Sequence, residues 1–102
     1  MEPSTLVLEA IARTRCIEAT YNRMAVKLAP HILYTRHGEL FLDAVTVERE
    51  GRPPKETKLG TFKLAGLDIR EIDEKPFSPA AGLFDPSNDK YDGVTLFAVE
   101  TA

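Results

Sequence analysis

The chain has 102 residues, 43% of them hydrophobic and 28% charged, the balance of an ordinary globular domain with a single core rather than of a disordered or fibrous chain. Sixteen acidic residues against thirteen basic ones give a formal charge of −3. That charge argues against unspecific attachment to phosphate backbones, and no apolar run approaches the roughly 18 residues of a membrane span.

The single cysteine, Cys16, excludes an internal disulfide and a thiolate zinc centre, and its expected place is a small core position. The start of the sequence shows no basic stretch followed by an apolar one of signal type, so the expected setting is cytoplasmic, with no membrane partner.

Taken in order, Ser4-Thr5 ahead of LVLEAIARTR predicts a leading helix within residues 1–15. A hydroxyl caps its start, Leu6, Leu8, Ala10, Ile11 and Ala12 are available for an apolar face, and Arg13 and Arg15 sit near the end that favours cations. Residues 16–75 read as strands. Ile17, Ala19 and Tyr21 alternate with Glu18, Thr20 and Asn22, the pattern of a half-buried strand.

Next comes LAPHILYTRHGELFLDAV, two apolar runs joined at Arg36-His37-Gly38. Simple alternation puts Leu28, Pro30, Ile32 and Tyr34 on one face and Ala29, His31, Leu33 and Thr35 on the other. In the second run Leu40, Leu42 and Ala44 oppose Phe41, Asp43, Val45 and Val47. Both faces are apolar near the middle, as in a small closed or nearly closed barrel covered from outside. Pro30 has no N–H for a ladder and marks an edge, a strand start or a bulge.

Glu50-Gly51-Arg52-Pro53-Pro54 reads as a turn or exposed loop, Thr57 to Leu64 as a strand, and Ile69 to Ile72 as a short strand after Gly66. From residue 76 to 102 the composition shifts to a proline- and glycine-containing tail. Phe77, Leu83, Phe84 and Tyr91 are spaced as anchors, a helical turn is expected after Asp85-Pro86, and Val94 to Val99 is a final strand. The whole reads as one domain, mainly β (α+β).

These residues resemble the WYL domains, small SH3-like or Sm-like barrels usually found downstream of a DNA-binding helix-turn-helix in bacterial transcription regulators. The resemblance rests on a helix leading into the strand Ile17 to Tyr21, a proline before an apolar strand (Pro30 to Tyr34) and a glycine turn. The name-giving triplet falls on Leu40-Phe41-Leu42, the later Phe-Arg-Leu-Asp-Arg-Ile element on Phe62-Lys63-Leu64-Ala65-Gly66-Leu67, and the tail on Phe77, Phe84-Asp85 and Tyr91. It implies a regulatory, ligand-sensing module with a nucleotide or single-stranded nucleic acid as effector. Two departures bear on that site: Leu40 and Phe41 replace Trp and Tyr, and the two arginines become Lys63 and Gly66, which removes a bidentate phosphate donor.

The candidate ligand-binding residues are Tyr21, His31, Phe41, Asp43 and Lys63. Tyr21 and Phe41, with Tyr34, are residue types on which a flat base stacks, or simply core aromatics. His31 titrates near neutrality in a pocket, or bonds a neighbouring carbonyl on a rim. Asp43, a carboxylate between Phe41 and Val45, needs a partner, and Lys63 or Arg23 is expected to supply it. Lys27, Arg36, Lys55, Lys58 and Lys63 are further candidates for a cationic face.

Catalysis is not expected: His31, Asp43 and Ser78 have no triad spacing, no glycine loop cradles phosphate, and two histidines without paired spacing make no metal site. No cofactor is expected either. The expected function is therefore a non-enzymatic sensing module. The alternative is a protein-interaction or assembly module, working with a protein partner or as a homodimer, whose exposed strand edge pairs with another chain and whose ligand pocket has decayed.

Overall fold

Pro3 opens helix α1 (Pro3–Arg13), where its missing N–H costs nothing and its fixed φ suits a first turn. Ser4 and Thr5 therefore lie inside the helix, and no side chain caps its start. The computed structural model describes residues 2–80 and 82–100. Val7, Ala10 and Ile11, at helical spacing, are the buried face, whereas Leu8 is exposed. Thr14, in the left-handed region at φ 49°, ends the helix and returns its N–H to the carbonyl of Ile11.

The strands are β1 (Arg15–Tyr21), β2 (Met24–Arg36), β3 (Glu39–Arg49), β4 (Leu59–Lys63), β5 (Asp68–Pro76) and β6 (Thr95–Ala98). They form one antiparallel sheet in the order β4-β3-β2-β1-β5, with β6 on β2. Two tight hairpins set the register. Asn22 and Arg23 join β1 to β2, and His37 and Gly38 join β2 to β3, all four at positive φ. That is the backbone of two-residue turns whose twist matches the strands they connect.

The sheet is mainly β architecture as the sequence predicts, but it does not close into a barrel. β4 and β5 occupy opposite ends of the strand order, joined by a 3-10 turn at Leu64–Gly66, and no ladder links them among the described residues. It curls nonetheless. Tyr21 on β1 and Phe62 on β4 are three strands apart, about 14 Å on a flat sheet, yet their ring centroids meet edge to face at 5.2 Å.

Pro30 and His31 explain how one long strand serves two neighbours. Pro30 pairs with Ala44 and Ile32 with Asp43, so His31 is the extra residue of a bulge in β2. β1 accompanies β2 only as far as Leu28, and β6 takes over at Ile32. Pro30, which has no N–H to offer, falls in the gap between them.

The extra residue also reverses the alternation: Ile32 and Tyr34 join the Phe41 and Asp43 side of the sheet, opposite to the simple reading of residues 28–35. α1 contacts β1, β2, β5 and β6, and its buried residues share one core with Ile17, Leu28, Leu33 and Leu42. The segment after β5 packs on the other face, burying Phe84 and Tyr91, while Leu83 stays exposed. The turn expected there is a 3-10 turn at Asp89–Tyr91.

Candidate functional site

Asp43 is fully buried and lies at the centre of a polar cluster beneath the tail. Its Oδ1 accepts the Tyr34 hydroxyl at 2.7 Å; its Oδ2 accepts the Tyr91 hydroxyl at 2.5 Å and the Lys90 ammonium at 2.8 Å. The expected ion pairs to Lys63 or Arg23 do not form. The bulge places Tyr34 on the same face as Asp43, and the 3-10 turn brings Lys90 and Tyr91 over both.

Burial alone would raise the Asp43 pKa, but the bonds from Lys90, Tyr91, Tyr34 and Thr61 outweigh it and hold the carboxyl below its usual range. Burial together with the Asp43 carboxylate pushes both tyrosines up, so they remain donors. Lys90 also lies 5.6 and 5.2 Å from the Tyr34 and Tyr91 ring centroids, a cation–π arrangement that fixes it further.

His31 is engaged in the same internal way. Its Nδ1 lies 2.8 Å from the Ala29 carbonyl, which only accepts, so Nδ1 carries the proton. Nε2 is then free to accept the Ala80 N–H at 3.1 Å. The ring is fixed between Phe77 and Phe84, with centroids at 5.1 and 5.3 Å. Burial drives its pKa down, partly offset by the bond to Ala29. A neutral imidazole thus ties the bulge of β2 to the start of the tail.

The five residues singled out from the sequence do not converge on one concavity. His31 and Asp43 are buried beneath the tail, and Phe41, half-buried on the same face, stacks on Tyr34 at 6.0 Å. Tyr21 is on the opposite face against Phe62. Lys63 is exposed, paired with Glu39 at 2.8 Å beside a groove that also receives Leu40 and the start of α1. Among the described residues no group of three acidic, histidine or cysteine side chains is arranged to hold a metal.

A different concentration of charge stands at the far end of β3. Arg49, Arg52, Lys55 and Lys58 line a groove of about 590 Å³ whose floor includes Gly60 and Phe62 of β4. Of these cations the sequence pattern singled out only the two lysines. The arginines flank Glu50-Gly51, the start of the stretch read as a turn or exposed loop, which is another two-residue turn, with φ 52° and 77°. Lys90 was missed as the partner of Asp43; the one signal for that contact was the spacing of Tyr91 as a tail anchor.

No family model, curated protein or solved structure matches the chain.

Proposed function

We propose that this domain is a non-enzymatic protein-interaction module, a divergent WYL-like fold whose work is done at the edge of its curled sheet rather than in a small-molecule pocket. The observation that carries this reading is the contrast between the sheet's interior and its ends. The side chains that a nucleotide pocket would use, His31 and Asp43, are consumed by internal hydrogen bonds that hold the tail. β4 and β5, by contrast, each have one neighbouring strand and leave a main-chain edge without a partner among the described residues. An unpaired edge is a template for another chain, and pairing there supplies affinity through backbone bonds.

The test places a photo-crosslinking amino acid at Lys63 on β4, at Glu71 on β5 and at Ser87 in the tail, all exposed positions. The expected result is a defined protein adduct from an edge position and none from Ser87. Absence of adducts at both edges, together with a nucleotide or oligonucleotide that raises the melting temperature at physiological salt, would replace this reading with the ligand-sensing one.

A further inference from the structure

Arg49 and Arg52 are held directly opposite each other. They exchange both backbone hydrogen bonds, Arg49 N–H to Arg52 O at 2.8 Å and the reverse at 3.1 Å, as an isolated antiparallel bridge. Side chains of such a pair share a face, and like charges there destabilise it. The intervening carboxylate of Glu50 accepts the Ala25 N–H at 3.1 Å and, among the described residues, forms no ion pair with either arginine.

Pro53 and Pro54 then stiffen the path that brings Lys55 and Lys58 to the same groove, in which Glu56 is the one acidic lining residue. All four cations are exposed, and among the described residues none forms an ion pair. In a chain with net charge −3 this concentration is local, and it adjoins the open β4 edge.

Building on the docking role proposed above, we propose that β4 and this groove bind an extended acidic peptide segment of a protein partner, which adds to β4 as a strand and sets its carboxylates among Arg49, Arg52, Lys55 and Lys58. The edge selects the backbone and the cations select the side chains. A second copy of the same edge would meet its own lysines and arginines. A single-stranded nucleic acid would pair its phosphates but leave the β4 amides and carbonyls unmatched, and the nearest ring, Phe62, is already engaged by Tyr21.

The test is fluorescence anisotropy of the full chain with synthetic peptides about eight residues long, a typical strand length, alternating Glu and Val. Two isomers carry N-methyl groups on either the Glu or the Val residues, so that each blocks one backbone edge. Expected are binding that weakens with salt, loss of about tenfold or more for one isomer only, and a similar loss in the double variant Lys55→Glu/Lys58→Glu at unchanged melting temperature.

Equal binding of the two isomers would reduce the site to unspecific charge attraction and overturn the strand addition. Tighter binding of an oligothymidylate than of the Glu peptide would make the groove a nucleic-acid site, and no binding of the Glu peptide at low salt would end the proposal. Crosslinks from Glu71 surviving such a failure would leave the docking role standing and discard only this partner chemistry.

Discussion

Two regions of this small sheet treat charge in opposite ways. Beneath the tail, Asp43 is wholly enclosed and has three donors within 2.8 Å. At the turn after β3, Arg49 and Arg52 face each other in water with no carboxylate paired to either among the described residues. A buried charge has to be satisfied from within, because water cannot reach it; an exposed one can wait for a partner. Titratable residue types alone therefore do not separate side chains satisfied within the fold from those with hydrogen-bonding and charge capacity to spare.

The comparison breaks first at Asp43. Asp43→Ala removes the common acceptor of Tyr34, Tyr91 and Lys90. The exposed Lys90 is taken up by water, but the two buried tyrosine hydroxyls lose their partner, at about 1–3 kcal/mol for each donor left unsatisfied. Urea unfolding should show a loss of that order, with Tyr91→Phe costing about 1.5–3 kcal/mol as a single bond to a charged group. A change below about 1 kcal/mol for Asp43→Ala would mean that the cluster is not what holds the tail, and Asp43 would return as a candidate for ligand contact.

His31 is the next largest effect and adds a pH signature. Its folded pKa is depressed by burial, so between the folded value and the ordinary value of about 6.5 the unfolded chain binds the extra proton. Its contribution is complete above about pH 6.5 and is lost as the pH falls through that window. Asp43, whose pKa is also lowered, keeps its contribution until the medium is more acidic than about pH 4, the ordinary carboxylate range. Denaturation midpoints measured across this range should fall in two stages. His31→Gln, which can still donate and accept, should flatten the first stage only, and His31→Ala should cost about 1–3 kcal/mol at neutral pH. An unchanged first stage in His31→Gln would assign it to another group.

How much of this was legible in the sequence follows from the range of each interaction. The turn at His37-Gly38 and the strand ending at Tyr21 are local: a glycine at positive φ and a simple alternation announce them. The phase of β2 is not, because one inserted residue at His31 reverses every side chain after it while the composition reads the same on both faces. The partner of Asp43 lies 47 residues downstream, and nothing in the alternation around Lys90 points back to β3.

Closure failed to be legible for a similar reason. Curling is written in the strand pattern, but whether β4 reaches β5 depends on how far the 3-10 turn at Leu64–Gly66 carries the chain. The turn or loop at Glu50-Gly51 was legible in the residues that punctuate strands, but not that its backbone doubles back tightly enough to pair Arg49 with Arg52.

The smallest expected effect separates the two regions most sharply. Arg52→Glu converts the like-charged bridge with Arg49 into an opposite-charged one, and such a cross-strand change is worth roughly 0.2–1 kcal/mol. The variant should therefore melt slightly higher than the parent, while its affinity for the Glu peptide falls, because one cation is lost and a carboxylate now occupies the groove. Stability and binding moving in opposite directions is the signature of a charge arrangement kept for a partner rather than for the fold. If Arg52→Glu instead destabilised the chain, the arginine would be making an internal contact, and the two regions would differ in exposure but not in purpose.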